Sequence, residues 1–171
     1  MKILVIFFAL LFVSAPASVY DFKLKTIEGG DFSLAKYNGK KILVVNTASK
    51  CGYTPQYTDL QKLSELYKDK LVVVGFPANN FGGQEPGTNA EIKAFCTSYA
   101  SVTFPLSEKV SVKGEDISPL FKYLTTAPNP DFTGDISWNF EKFLIDENGN
   151  LIHRFKSKVT PLDPAITKYL N

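Results

Sequence analysis

The spacing of apolar positions along the chain predicts several strands. Residues 40–46 (KKILVVN) and 71–76 (LVVVGF) contain continuous apolar runs, which are typical of central strands covered on both faces. Residues 19–24 (VYDFKL) alternate as a half-buried strand does. Towards the C-terminus, residues 139–157 hold two further strand patterns, and the Glu-Asn-Gly sequence at 147–149 between them predicts a hairpin.

Four helices are predicted from periodicity and from capping residues. Residues 57–68 place apolar side chains at helical spacing. Residues 88–99 begin with a Thr-x-x-Glu capping box and continue with apolar positions at i, i+3, i+4 and i+7. Ser118-Pro119 and Asp163-Pro164 each combine an N-cap residue with a proline at the first helical position, so a helix is predicted after each pair.

The order of these elements predicts an α/β fold. It reads β, β, α, β, α, α, β, β, α, and a strand–helix–strand crossover is right-handed and gives parallel neighbours. The C-terminal hairpin adds antiparallel strands to the same sheet. We therefore predict a thioredoxin-like fold, with a central mixed sheet flanked by helices.

The N-terminal residues have a different character from the rest of the chain. Lys2 precedes an apolar run at 3–13, and Ala15-Pro16-Ala17 forms an A-x-A cleavage signature. The run is too short to span a bilayer comfortably. We expect residues 1–17 to be a cleaved signal peptide and residues 18–171 to form a single thioredoxin-like domain. The protein is then exported, to a periplasm or to the medium, where disulfides persist.

Charge and motif content limit the partners of the protein. The formal net charge is +2 and no basic cluster is present, so we expect no nucleic-acid partner. No metal-ligand spacing, phosphate-binding loop or nucleotide fingerprint occurs, so we expect no metal and no cofactor. His153, the only histidine, lies in a predicted hairpin strand remote from either cysteine, and we expect it to be a packed or surface residue.

A reactive thiol is predicted at Cys51. It follows the strand at 40–46 and precedes the helix at 57–68, and reactive groups of open α/β sheets collect at such strand ends. A helix N-terminus stabilises a thiolate, and Lys50 adds positive potential. The Gly-x-Thr-Pro loop disfavours burial, so we expect a reactive cysteine rather than an inert packed one. Thr54 occupies the place where a C-x-x-C dithiol enzyme has its second cysteine.

Three segments resemble the glutathione peroxidase family: NTASKCGYTPQY at 46–57, GFPANNFGGQEPGTNAEI at 75–92 and WNFEKFLID at 138–146. The resemblance runs from about Val19 to the C-terminus. It implies a thioredoxin-like fold and the reduction of hydroperoxides by a catalytic tetrad of Cys51, Gln84, Trp138 and Asn139. In that scheme the thiolate attacks a peroxide oxygen and becomes a sulfenic acid, while the other three side chains contribute neutral N–H donors.

The resemblance also implies a role for Cys96, the only other cysteine. Many relatives carry a cysteine where this chain has Ala78, so only Cys96 is left to resolve the sulfenic acid of Cys51. Two other interpretations remain open, an inert packed thiol and a permanent structural disulfide. If the helix holds Cys96 in the core, closing the bond requires the helix to unwind. We therefore predict that residues 89–99 form a marginally stable helix that changes order with redox state.

Three other functions use a reactive cysteine on a similar fold or the same Cys51 oxidation. A disulfide oxidoreductase needs a C-x-x-C pair, and Thr54 removes it. A peroxiredoxin needs an arginine beside its cysteine and a proline before it, but Arg154, the only arginine, lies far along the chain and no proline precedes Thr47 in that segment. An exported thiol-based redox sensor uses the same Cys51 oxidation without turnover and stays open.

Differences between this chain and other members of the family predict its reductant and its oligomeric state. Arginines that bind glutathione are missing and Cys96 is present, which favours a thioredoxin-type dithiol protein over glutathione. The long insertion that tetrameric members carry before the tryptophan motif is absent. We therefore expect a monomer or weak dimer with an open site that accepts lipid hydroperoxides as well as hydrogen peroxide.

Overall fold

The computed structural model describes residues 18–171, so the expected signal peptide at 1–17 lies outside the described residues. Two sheets are present in this part of the chain. A small antiparallel hairpin comes first, and a four-stranded sheet forms the centre of the fold. The strands are β1 (Leu24–Lys25), β2 (Asp31–Phe32), β3 (Lys41–Thr47), β4 (Leu71–Pro77), β5 (Lys142–Ile145) and β6 (Leu151–Phe155).

The central sheet is mixed, as the order of elements predicts. Its spatial order is β4-β3-β5-β6. Strand β3 pairs in parallel with β4, from Lys41 opposite Leu71 to Thr47 opposite Pro77. It pairs with β5 in the antiparallel sense, and β5 pairs with β6 in the same way. Strand β4 therefore pairs with β3 up to its last residue, while β5 pairs with its middle, from Ile42 to Val45.

Four α-helices cover the sheet, and two short 3-10 helices precede β1 and β3 respectively. On one face, α1, α2 and α4 pack over Leu43 and Val45 of β3, while α3 packs on the opposite face over Ile42 and Val44. No helix of residues 18–171 is long and apolar enough to cross a membrane. The helices are α1 (Gln56–Leu66), α2 (Asn89–Ala100), α3 (Pro119–Thr126) and α4 (Pro164–Thr167), and the 3-10 helices are Val19–Asp21 and Leu34–Tyr37.

The two-sided burial explains the continuous apolar run of β3. Ile42 through Val45 are all fully buried, and alternate side chains enter two separate cores. Burying each such side chain is worth roughly 1.5–3 kcal/mol. The strand that carries the site loop is thus anchored from both faces of the sheet.

The strand predicted at 19–24 is wrong for most of its length. Residues Val19–Asp21 form a 3-10 helix, which the Ser18 hydroxyl caps by accepting from the Tyr20 amide at 3.1 Å. Val19 and Phe22 are the buried positions, and a spacing of three is helical rather than alternating. Only Leu24–Lys25 form a strand, which pairs with β2. The helix predicted after Asp163-Pro164 is present, with Asp163 as its N-cap, and it ends after four residues at Thr167.

Candidate active site

Cys51 lies in the loop between β3 and α1, at the C-terminal end of β3, as predicted. Its thiol is free and only 8% exposed, so it is more buried than the loop composition suggests. The helix begins five residues later, but successive turns lead into it, since the Thr54 amide donates to the Cys51 carbonyl at 3.0 Å. The Tyr53 amide donates to Cys51 Sγ at 3.4 Å. A backbone N–H donor therefore points at the sulfur from the start of the helical segment.

Thr54 holds the Cys51 loop closed from inside. Its side chain is buried, and its hydroxyl donates to the Ala48 carbonyl at 2.9 Å and accepts from the Cys51 amide at 3.0 Å. The hydroxyl thus joins the end of β3 to the backbone of the cysteine itself. The residue that stands where a dithiol enzyme has its second cysteine is a structural bridge in this loop.

Gln84 is brought to the Cys51 loop by a tight turn after β4. Gly82 and Gly83 have φ angles of 61° and 63°, a left-handed conformation that favours glycine. The turn closes with the Gln84 amide donating to the Phe81 carbonyl at 3.2 Å. The Gln84 carbonyl in turn accepts from the Lys50 amide at 3.0 Å. This last bond ties the glutamine turn to the residue that precedes Cys51.

Asn46, near the end of β3, holds the segment that carries Trp138 and Asn139. Its amide group donates to the Trp138 carbonyl at 3.1 Å and accepts from the Glu141 amide at 2.9 Å. Its own carbonyl accepts from the Phe140 amide at 2.6 Å. Asn46 is fully buried, and its bond to the Glu141 amide is shielded from water. The same strand end therefore positions both Cys51 and the tryptophan–asparagine pair.

The three motif segments meet through side-chain contacts. Asn139 is fully buried, and its Nδ2 donates to Gln84 Oε1 at 2.9 Å. The ring of Trp138 packs against Phe81 with centroids 5.7 Å apart, and 39% of the tryptophan is exposed. Gln84 Nε2 has no protein acceptor within residues 18–171. The structure thus brings Cys51, Gln84, Trp138 and Asn139 into adjoining segments at one end of β3 and leaves neutral donors there.

A buried ion pair supports the tryptophan segment from behind. Glu141 Oε2 accepts from Arg154 Nε at 3.1 Å and Nη2 at 2.8 Å, and both side chains are fully buried. Glu141 Oε1 accepts from the Ser137 amide at 2.9 Å. Burial raises the pKa of Glu141, but the Ser137 hydrogen bonds and the Arg154 charge outweigh it and hold the pKa below its ordinary value. The only arginine of the chain is therefore a structural residue.

Cys96 lies on the inner face of α2, beside the hydroxyl of Tyr57. Its thiol is free and 1% exposed, and burial raises its pKa to about 11. The predicted capping box of α2 is present, with Thr88 and Glu91 bonded to each other in both directions. Of the twelve residues of α2, only Ile92 and Cys96 are buried. The helix is well capped but held to the core by few side chains.

His153, the only histidine of the chain, lies away from this site. His153 on β6 has Nδ1 3.1 Å from Asp131 Oδ2, and its ring stacks on Tyr169 with centroids 4.0 Å apart. It is a packed residue, as predicted. Within residues 18–171 no group of His, Cys, Asp and Glu side chains is suited to hold a metal ion.

Sequence reasoning missed the positioning roles of Asn46 and Thr54. The available signal was a polar residue inside, or just after, an otherwise apolar buried strand. Such residues require hydrogen-bond partners, but the sequence does not say which segments provide them.

Comparisons with known proteins agree with the geometry. The family model for glutathione peroxidase matches residues 19–125. The glutathione peroxidase-like peroxiredoxin GPX5 of Chlamydomonas reinhardtii is 48% identical over 155 residues, covering 89% of this chain and 96% of that protein. The crystal structure of Trgpx in apo form has 37% identity and a TM-score of 0.70, covering 91% of this chain and 94% of its own.

A more distant likeness concerns the fold alone. A thioredoxin-family thiol:disulfide interchange protein from Chlorobium tepidum has 20% identity and a TM-score of 0.62, over 92% of this chain and 97% of that one. The predicted thioredoxin-like fold is confirmed. A match to the family model over more than half of the chain, together with a relative at 48% identity, also decides the family. The chain belongs to the glutathione peroxidase family and is a peroxidase that pairs a hydroperoxide substrate with a thiol reductant.

Proposed function

We propose that the protein reduces hydrogen peroxide and organic or lipid hydroperoxides through a sulfenic acid on Cys51. The observation that carries this proposal is the meeting of the Cys51 loop, the Gln84 turn and the Trp138–Asn139 segment at the end of β3. The thiolate attacks the terminal oxygen of the hydroperoxide, the O–O bond breaks, and the departing alkoxide or hydroxide takes up a proton. The products are the Cys51 sulfenic acid and an alcohol or water.

The donors around the sulfur suit a reaction in which negative charge moves from sulfur to oxygen. The Tyr53 amide already donates to Cys51 Sγ. Asn139 donates to the Gln84 amide oxygen and so orients the group, while Gln84 Nε2 makes no hydrogen bond to a protein acceptor within residues 18–171. We assign Gln84, Trp138 and Asn139 to hydrogen bonds with the thiolate and the transition state. The partial exposure of Trp138 leaves the site open to bulky hydroperoxides.

We further assign the resolving role to Cys96, which attacks the Cys51 sulfenic acid and closes a disulfide. The shallow attachment of α2, with two buried residues, supports a helix that unwinds to release Cys96. The reductant of that disulfide is then a thioredoxin-type dithiol protein. Arg154 is buried in the ion pair with Glu141, so it is not available to bind the carboxylates of glutathione. We also propose that the protein is exported as a monomer or weak dimer that begins near Ser18.

The decisive experiment is peroxide turnover with a thioredoxin system and, separately, with glutathione. Cys51→Ser is expected to be inactive with both reductants. Cys96→Ser is expected to consume one equivalent of peroxide and then to stop with the thioredoxin system, because no disulfide forms for it to reduce. Full thioredoxin-dependent turnover by Cys96→Ser contradicts the resolving role, and activity of Cys51→Ser contradicts the whole scheme. N-terminal sequencing of the exported protein tests the cleavage site.

A further inference from the structure

Glu85, the residue after Gln84, is a buried carboxyl group without a cation in contact with its oxygens. The side chain is fully buried, and Oε1 accepts from the Ser49 hydroxyl at 2.5 Å, while Oε2 has no hydrogen-bond partner among residues 18–171. Lys109 donates to the backbone carbonyl of Glu85 at 3.3 Å rather than to the carboxylate. Burial raises the pKa of Glu85 above its ordinary value. Keeping such a group in the interior is costly, which marks it as a candidate for chemistry.

The position of Glu85 is between the two cysteine-bearing elements. It lines a groove of about 390 Å³ together with Ser49 and Lys50 of the Cys51 loop. The opposite wall is formed by Ile92 and Phe95 of α2, and Cys96 is the next residue. The Glu85 carboxyl group therefore lies beside both the loop that carries Cys51 and the helix that carries Cys96.

Other buried oxygens beside Cys96 also lack regular hydrogen bonds. The Tyr57 hydroxyl lies within reach of the Cys96 thiol and of the Thr47 hydroxyl. Neither the Tyr57 nor the Thr47 oxygen makes a hydrogen bond of regular geometry in residues 18–171. Burial is the main cause that raises the pKa of both Tyr57 and Cys96, and the charge of Glu85 raises the pKa of each further. Glu85 is thus near enough to act electrostatically on Cys96, and the Tyr57 hydroxyl lies beside the Cys96 thiol.

We propose that Glu85 is the acid–base group of the disulfide-forming step, an inference that rests on the resolving role proposed for Cys96. While α2 is still folded the Glu85 carboxylate takes the proton of the Cys96 thiol, and the Cys96 sulfur then attacks the Cys51 sulfur as the helix unwinds. The S–O bond of the sulfenic acid breaks, and the departing hydroxide takes the proton back and leaves as water. The Cys96 sulfur supplies the electron pair of the new S–S bond and the pair of the broken S–O bond leaves with the hydroxide, so no outside oxidant or reductant is needed.

Disulfide formation needs an acid–base group, because the Cys96 thiol must lose a proton and the departing hydroxide must gain one. With its pKa raised to about 11, the buried Cys96 holds a thiolate in only about one molecule in 10⁴ at pH 7. Hydroxide is a poor leaving group unless it is protonated as it departs. The ionisable groups that face Glu85 are Lys50 and Lys109, whose charges oppose the rise of its pKa, and Tyr57 and Cys96. Glu91 lines the same groove.

The test measures Cys51 oxidation and disulfide formation separately in the wild type, in Glu85→Gln and in Glu91→Gln. Glu91→Gln is the matched control, because a glutamine at this position preserves the capping box of α2. Reduced protein is mixed with one equivalent of hydrogen peroxide and quenched with an alkylating reagent at increasing times. Intact mass then distinguishes the sulfenic acid, with one added oxygen, from the disulfide, with two hydrogens lost. We expect Cys51 oxidation to keep its rate in both variants. Disulfide formation slows by about 10²-fold in Glu85→Gln only.

The pH profile of the disulfide step gives a second measurement that does not depend on a variant. In the wild type the rate falls as pH drops through the raised pKa of Glu85, because the carboxylate is the proton acceptor. Glu85→Gln loses this fall, and its rate rises about tenfold per pH unit towards the pKa of Cys96. A solvent deuterium isotope effect is expected on the wild-type step. A wild-type rate without an acid limb and without an isotope effect overturns the proposal, even if the variant does not fold.

The outcomes are distinguishable. Equal disulfide rates in wild type and Glu85→Gln overturn the role of Glu85 and leave the resolving role of Cys96 intact. Equal slowing of both half-reactions in Glu85→Gln shows a structural residue and also overturns it. A wild-type protein that forms the sulfenic acid but no disulfide overturns the resolving role of Cys96 first, and the role of Glu85 with it.

Discussion

Lys142 gives the sharpest stability prediction, because an ammonium group is fully buried on β5 among neutral acceptors. Its Nζ donates to Gln56 Oε1 at 2.5 Å and to the carbonyls of Ser157 and Val159 at 3.2 and 2.5 Å. Burial lowers its pKa from an ordinary 10.5 to about 7, against the opposing charge of Glu141. At about 1.36 kcal/mol per pKa unit, holding this proton in the native state costs about 5 kcal/mol below pH 7.

The sign of the pH dependence follows from proton counting. Between pH 7 and 10.5 the unfolded chain binds the Lys142 proton and the native state does not, so the free energy of unfolding rises with pH. From pH 7 to about pH 9 the rise is about 2 kcal/mol. Cys96 acts in the opposite sense above pH 9, since its raised pKa keeps the proton on the native thiol. The window below pH 9 therefore isolates the lysine.

Urea unfolding of wild type and Lys142→Met at several pH values between about 7 and 9 measures this contribution. We expect the wild-type free energy of unfolding to gain about 2 kcal/mol more across the window than that of Lys142→Met. Lys25→Met, a change on an exposed side chain, serves as the control and is expected to follow the wild type. Parallel curves for wild type and Lys142→Met refute the reasoning. They would mean that the three acceptors compensate the burial of the charge completely.

Three further substitutions test the supports of the site. Thr54→Val removes the hydroxyl bridge of the Cys51 loop and should cost about 1–3 kcal/mol in urea unfolding together with peroxide reactivity, whereas Thr58→Val on the exposed face of α1 should change neither. Asn46→Ala frees the tryptophan segment and should lower the rate of Cys51 oxidation in stopped-flow fluorescence; an unchanged rate contradicts the positioning role. Arg154→Met removes the buried partner of Glu141 and leaves it only the partly exposed Lys156, whose Nζ lies 3.2 Å from Oε1; the change should cost at most about 3–5 kcal/mol in urea unfolding, much of which Glu141→Gln in the same chain should restore.

The sequence predicted the elements whose signal lies within one continuous segment of the chain. The central strands follow from runs buried on both faces, and α2 follows from its own capping box. The failure at 19–24 arose because buried positions three apart resemble alternation in so short a stretch. The residues that position the site could not be predicted, because their contacts join segments far apart in the sequence. Asn46 bonds to residues more than ninety positions away, and the burial of Glu85 depends on how three loops meet.

The Thr54 bridge has a consequence for the chemistry that this loop can acquire. A C-x-x-C dithiol would need a sulfur where the threonine hydroxyl now joins the Ala48 carbonyl to the Cys51 amide. A thiol is a weaker and longer hydrogen-bonding group and cannot replace the hydroxyl on equal terms. A single substitution at this position would therefore loosen the loop before it gave a working second thiol. Conversion from a peroxidase to a dithiol oxidoreductase would thus need the loop to be rebuilt, and directed evolution towards that activity should first select changes at its two ends.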